Sequence, residues 1–387
     1  MDAVIEPTDR LEVVGQVQSA LGGLMDVQSY AWDERGALTL RGQFERPAHA
    51  IYRDLRARIE AVGFTPFLRA SGGQDELFAM PGVIPHTRPR VGLPIVLFLA
   101  TVATVLLTGA FSAAPELAAD PWLLLRNPAL LLGGVPFAAT LLGILFAHEM
   151  GHYVVGRLRN APVSLPYFIP IPPIPTPFGI ITLTGTLGAV IVQREPMEDR
   201  RSILEIGIAG PLAGLVVAIP LLLFGIATSP VAAPTAEMLQ RGYMQEGNSI
   251  LYALTKYAAH GQWLPAANGL DVQVNAVAFA AWIGLLVTML NLLPVGQLDG
   301  GHVAYALLGR KADWLAYAIL ALCVVLGVTV SSTWLIWAVL IMLIGPRHPA
   351  PLNDITLLGP WHKALAVFGL IVFVLLFMPE PFRTIVP

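Results

Sequence analysis

The 387-residue chain is predicted to be mostly α: a polytopic membrane helix bundle of about seven spans, with a short membrane-associated β-hairpin or re-entrant segment and a small N-terminal α+β soluble domain. Three observations carry that prediction. Hydrophobic residues make up 55% of the chain and charged residues 13%, where an ordinary soluble domain carries roughly 25% charged residues. Apolar runs of near-span length recur along the sequence, and roughly 20 such residues cross a bilayer. Nearly half of the charged side chains nevertheless fall in the first 90 residues. That step divides a domain of residues 1–90 from an integral membrane domain of residues 91–387, whose core runs from about 135 to 350.

Within the first domain, residues 8–22 read as a helix and residues 25–33 and 36–43 as strands around an Asp-Glu-Arg-Gly turn. The segment AHAIYRDLRARIEAVG, 48–63, spaces Ile51, Leu55, Ile59 and Val62 at helical intervals. TPFLRASGGQDELFAM then closes the domain with a hairpin. Arg53, Arg56 and Arg58 form either a solvated helix face or a contact for a cytoplasmic partner.

Apolar spans follow at about 93–113, 135–156, 202–228, 273–293, 313–329, 332–346 and 363–379. Trp314 to Ile344 is one apolar stretch, too long for one upright helix. It is flanked by Arg310 and Lys311 on one side and Arg347 and His348 on the other. Under the positive-inside rule both ends face the cytoplasm, so a tight helical pair turning near Gly327 to Thr333 is expected. The same rule uses Arg88 and Arg90 before the first span, Arg157 and Arg159 after the second, and Arg194, Arg200 and Arg201 before the third. It places the N-terminus on the cytoplasmic side of a multi-pass cell-membrane protein. His148 and His152 then lie one to three turns inside that face.

The segment from Pro162 to Pro177 holds seven prolines, which exclude a regular helix. The ITLTGTLGAVIV that follows is rich in β-branched residues and glycine, as a short hairpin would be. In the outer loop, 229–272, NSILYALTKYAAHG reads as a short interfacial helix. The net charge of −3 leaves no basic face, so nucleic acid is not an expected partner. The single cysteine, Cys323, lies in an apolar run and reads as a buried inert thiol.

The chemistry begins at LLGILFAHEMGHYVVGRLR, 141–159, where His148, Glu149 and His152 interrupt an apolar span. Ionisable groups at membrane depth are costly and mark function. HEMGH is an HExxH pattern: histidines at i and i+4 share one helix face and can bind one zinc ion, and the glutamate can act as general base. A catalytic zinc needs a third protein ligand and one open position. TMLNLLPVGQLDGGHVAY, 288–305, breaks a helix with Pro294, Gly296, Gly300 and Gly301. Such backbone is tolerated in a membrane only where it is buried in protein or lines a water-filled cavity. The break presents Asn291, Asp299 and His302. Asp299 is the choice for third ligand, because a carboxylate with two imidazoles suits Zn²⁺. His302 competes for that position or supports a ligand. Asn291 either assists an oxyanion or an extended substrate, or caps the broken helix. His260 lies across the membrane from HEMGH, and His348 and His362 flank span ends.

HEMGH in an apolar helix, AGPLAG at 209–214 and NLLPVGQLDGGH at 291–302 together resemble the site-2 protease family of intramembrane zinc metalloproteases (M50-type). GPRHPAPLND at 345–354 is similar to the branch with the chloroplast EGY proteases and their bacterial relatives. The resemblance implies one Zn²⁺ per chain held by His148, His152 and Asp299, with Glu149 as catalytic base and Asn291 contacting substrate. It implies transmembrane proteins as substrates, cut in or near their spans. Neither of the PDZ and CBS domains that some relatives carry is visible. The competing class is a transporter or metal-binding membrane protein that uses the His/Glu/Asp cluster as an ion relay. Against it, the chain shows no internal repeat of the kind transporters carry.

Overall fold

The computed structural model describes residues 7–34, 36–85, 91–176, 179–181, 184–193 and 195–385. Arg88, Arg90 and Arg194, used above for orientation, lie outside them, as do Thr182 and Leu183 of the expected hairpin. The chain forms two compact units. The first is Met1–Arg88 with Arg194–Leu204 and Pro349–Ala364; the second is Pro89–Gln193, Glu205–His348 and Leu365–Pro387.

In the first unit the order is α1 (Pro7–Ala20), β1 (Met25–Trp32), β2 (Leu38–Phe44), α2 (Ala48–Ala61), β3 (Phe64–Ser71) and β4 (Gln74–Pro81). The strands form an antiparallel sheet in the order β1-β2-β4-β3. Helix α2 buries Ile51, Leu55 and Ile59, one residue per turn on one face, into a core with Leu68 and Leu77. Gly72 and Gly73 join β3 to β4 with φ of 60° and 82°, the two positive angles that a two-residue hairpin turn requires.

The open edge of β3 is covered from far along the chain. Leu68 N donates to Leu352 O at 2.7 Å and Asp354 N to Leu68 O at 3.1 Å. On its other side the same short strand donates from Leu352 N to Met197 O at 2.9 Å and from Asn353 N to Glu198 O at 2.7 Å. Leu352 is fully buried in the sheet's core. Both segments, expected within the integral membrane domain, here complete a sheet that would otherwise expose unpaired main-chain groups.

The second unit is helical. Among the described residues, four helical stretches are long and apolar enough to cross a membrane: Gly92–Ala113, Pro128–Leu158, Arg200–Ala227 and Asp299–Thr329. Shorter apolar helices are Ala276–Asn291, Thr333–Ile344 and Pro360–Leu376. The protein is therefore a mostly helical membrane protein with a small N-terminal sheet. Helix α3 (Gly92–Ala113) precedes α4 (Val135–Leu158), which carries HEMGH.

The proline-rich segment after α4 becomes a ribbon of β5 (Tyr167–Pro170), β6 (Ile174–Thr176), β7 (Gly179–Ile181) and β8 (Thr186–Val190). β5 pairs with β8 and β6 with β7, both antiparallel. The β-branched stretch is thus not a hairpin closed on itself, because its strand Thr186–Val190 pairs back onto the proline-rich arm. Proline is tolerated at strand ends and edges, and Phe168 between Pro166 and Pro170 is buried, with its ring edge-on to Phe98 of α3.

Helix α5 (Arg200–Ala227) starts in the first unit and continues into the second. The segment after α5 contains α6 (Ile250–His260), capped by the Ser249 hydroxyl and closed by Gly261 at φ 70°. Its Lys256 is fully buried and bonded to Asp271 Oδ1 at 2.9 Å, with Glu246 Oε1 at 3.6 Å. Helix α7 (Ala276–Asn291) ends at the predicted break and α8 (Asp299–Leu308) resumes after it. α9 (Ala312–Thr329) and α10 (Thr333–Ile344) form the expected helical pair, and α11 (Pro360–Leu376) follows.

Candidate metal centre and catalytic site

Helix α4 sets His148 and His152 one turn apart with Glu149 next to the first, and all three are buried. Asp299 opens α8, where the chain turns back after the break at Leu292–Leu298. Gly300 and Gly301 make that return possible. A Cβ on Gly300 would stand 1.9 Å from Leu292 O, and one on Gly301 2.3 Å from Gly296 O. The paired glycines let α8 start directly against the backbone of the break, which delivers Asp299 to α4.

His148 Nε2 is 3.2 Å from Asp299 Oδ2, His152 Nε2 is 3.3 Å from Asp299 Oδ1, and the two Nε2 atoms are 3.2 Å apart. A tetrahedral ion with bonds of about 2.0–2.1 Å needs its ligands roughly 3.3 Å from one another. The donor set therefore fits zinc in both chemistry and spacing. Among the described residues these three form the only group of histidine, cysteine and carboxylate side chains close enough together to hold a metal ion.

The ring of His152 is fixed from behind. Its Nδ1 donates to the Ile206 carbonyl of α5 at 2.7 Å. A carbonyl can only accept, so Nδ1 carries the proton and Nε2 is left bare for a metal. The same helix presents glycines at 207, 210 and 214. A Cβ on Gly210 would meet His152 Nε2 at 2.1 Å, one on Gly207 would meet His302 Cβ at 2.6 Å, and one on Gly214 would meet His148 Cβ at 3.3 Å. Spacings of three and four residues put them on one helix face, and the three histidines lie against it. Sequence reasoning missed this face, although the 207/210/214 spacing was available to find it.

Asn291 Nδ2 lies 3.3 Å from His148 Nε2, so its amide reaches the centre from the end of α7. His302 does not join the cluster. Its Nδ1 is 2.6 Å from Nε2 of His348, whose ring stacks on Tyr305 at 4.4 Å. His260 binds the Ile226 carbonyl at 3.0 Å, and Cys323 is a buried free thiol. Outside the membrane-spanning helices, burial holds the Glu246 carboxyl above its ordinary pKa, against the pull of the Lys256 ammonium.

Residues 136–328 match peptidase family M50. That stretch is similar to an M50 peptidase domain. The matched residues take in HEMGH, the glycine face of α5 and Asp299, so the match contains the entire cluster. Among its relatives is the "Probable zinc metalloprotease EGY1, chloroplastic" of Arabidopsis thaliana, 33% identical over 249 residues, or 63% of this chain and 43% of that protein. The protein of the same name in Oryza sativa subsp. japonica is 30% identical over 249 residues, covering 63% and 40%. "Probable zinc metalloprotease EGY2, chloroplastic" of Arabidopsis thaliana is 29% identical over 274 residues, covering 69% and 46%. The chain spans less than half the length of these curated relatives. No solved structure matches it.

Proposed function

We propose that this protein is an intramembrane zinc metalloprotease that hydrolyses peptide bonds in or near the transmembrane segments of other membrane proteins, as in regulated intramembrane proteolysis. The observation that carries the reading is the triangle of His148, His152 and Asp299 atoms at 3.2–3.3 Å, beside a buried Glu149 in an apolar helix. An ion relay needs titratable groups in sequence along a path, whereas here three ligand atoms converge on one point.

In this mechanism His148, His152 and Asp299 would hold one zinc ion, whose chemistry there would be to polarise a carbonyl and lower the pKa of water toward neutrality. Glu149 takes the proton of the attacking water and returns it to the leaving amine. The Asn291 amide, beside His148, donates to charge developing on the carbonyl oxygen. His152 keeps its tautomer throughout, because the Ile206 carbonyl holds the Nδ1 proton.

A transmembrane helix hides its peptide bonds, so the substrate has to unwind. Among the described residues the β5–β8 sheet has two strands, so each has an edge on which an extended substrate can add. The bundle crosses the cell membrane about seven times, the shorter apolar helices Ala276–Asn291, Thr333–Ile344 and Pro360–Leu376 supplying crossings beside the four long stretches. Arg157 and Arg159 at the end of α4 and Arg200 and Arg201 at the start of α5 favour a cytoplasmic opening and N-terminus. Residues 1–90 are a cytoplasmic domain open to a soluble partner.

Purified wild type and Glu149→Gln decide the matter. Both should bind about one zinc per chain, and only the wild type should cut single-span substrates in proteoliposomes. Equal cleavage by the two would falsify Glu149 as the base.

A further inference from the structure

Two sets of contacts meet on α5. At its start, Asp199 caps the helix: its Oδ1 accepts from Ser202 N at 2.8 Å and from Ser202 Oγ at 2.9 Å. The residues before the cap are built into the first unit's sheet, where Met197 O and Glu198 O accept from the Leu352–Asn353 strand that in turn pairs with Leu68 of β3. Side chains reinforce the join. Arg200 Nε donates to Asp354 Oδ1 at 2.8 Å, and Arg56 Nη2 of α2 donates to the buried Glu195 at 2.9 Å. Asn353 is the hub. It is 1% exposed, its main chain bridges β3 and Asp199, and its side chain closes a turn with Thr356, donating from Nδ2 to Thr356 Oγ1 at 2.8 Å.

From two to four turns further on, the same helix shapes the metal centre. Ile206 O sets the tautomer and ring plane of His152, Gly210 clears room for that ring, and Gly214 lies against His148. Arg159, at the end of α4, pairs with Glu205 beside Ile206. A helix is stiff along its axis and rises about 1.5 Å per residue, so a rotation or slide of its first turn is carried to Ile206 and Gly210. His152, hydrogen-bonded to Ile206 O and packed on Gly210, follows such a shift.

We propose that the N-terminal α+β domain controls zinc binding by setting the position of α5, and that Asn353 is the positioning residue through which it does so. The proposal rests on the metalloprotease reading above. It gives residues 1–90 a role as an input domain: whatever loosens the Leu68–Asn353–Asp199 ladder loosens His152. Linkage then requires the converse, that zinc at His152 tightens the ladder.

The test uses the full chain in nanodiscs, with zinc added or removed by chelator. Backbone hydrogen exchange of peptides covering 64–71, 195–204 and 349–357 is read by mass spectrometry. Zinc should slow exchange in all three by at least about fivefold, the lower end of typical coupling. Asn353→Ala should weaken zinc binding by a comparable factor. The wild-type exchange measurement does not depend on that variant folding. A purely structural sheet would exchange at the same rate with and without zinc; that result, with zinc bound stoichiometrically, overturns the proposal. A wild type that takes up no zinc overturns the metal-centre reading and this proposal with it.

Discussion

Replacing Gly210 with alanine isolates what α5 does for the metal centre. The new Cβ would sit 2.1 Å from His152 Nε2, 2.4 Å from Cδ2 and 2.5 Å from Cε1, where unbonded heavy atoms of this kind settle at about 3.5–4.0 Å. The ring must therefore retreat by more than about 1 Å. It is tied to Ile206 O at 2.7 Å and faces Asp299 at 3.3 Å, so the movement breaks the donor triangle. Losing one outer partner of a metal-binding histidine typically costs 10- to 100-fold in affinity. Here the ligand itself moves, and a loss of at least 100-fold, about 2.8 kcal/mol at 1.4 kcal/mol per decade, is expected. The metal-free protein should not suffer equally, because glycine to alanine inside a helix gains about 1 kcal/mol in propensity. Gly143→Ala on α4, whose added Cβ meets nothing within 4 Å, is the control. Zinc titration against a competing chelator, with helicity followed by circular dichroism, gives the answer. Wild-type zinc affinity in Gly210→Ala would refute the close packing of His152 on α5.

Asp299→Ala should leave two imidazoles and lower zinc affinity by well over tenfold; undiminished binding in a chelator titration would shift the third ligand to another residue. Burial raises the Glu246 pKa from its ordinary 4.5, so the folded state prefers the neutral carboxyl. Its contribution is complete below about 4.5 and is lost as pH rises through the raised folded value. Wild type should accordingly lose stability relative to Glu246→Gln across that window, read as hydrogen exchange in residues 243–272, and a constant difference between the two would disprove it. Leu187→Pro, at an exposed position of β8, should cut substrate turnover at least tenfold with zinc retained; unchanged turnover counts against strand addition.

The residues of the proposed site were legible because the membrane makes ionisable groups scarce. In an apolar helix His148, Glu149 and His152 stand out without structural help, and the broken backbone around Asp299 is tolerable only beside something polar. Pairing across distance was not legible. The strand character of 186–190 follows from its β-branched content, yet nothing local says that its partner is Tyr167–Pro170. Leu352–Asp354 is harder still: three residues have no measurable period, and their strand role exists only because β3 leaves an edge open. The α9–α10 pair, by contrast, was readable from length and flanking charge alone.

The glycine face of α5 shows why a site can be half visible. Glycines in a membrane helix usually mean close helix packing, and Gly151 of α4, whose Cβ would meet Ala209 O of α5 at 2.5 Å, marks such a contact between the two helices. Gly210 adds something packing alone does not require. In a helix the Ile206 carbonyl already accepts from the amide of residue 210, and a carbonyl oxygen has a second lone pair. His152 takes that lone pair while its ring lies over residue 210, where a Cβ would meet it at 2.1 Å. The missing Cβ thus makes room for the ring that uses the acceptor one turn back. The two halves of this device lie four residues apart on one helix, and their purpose appears only when a histidine from another helix is laid across them.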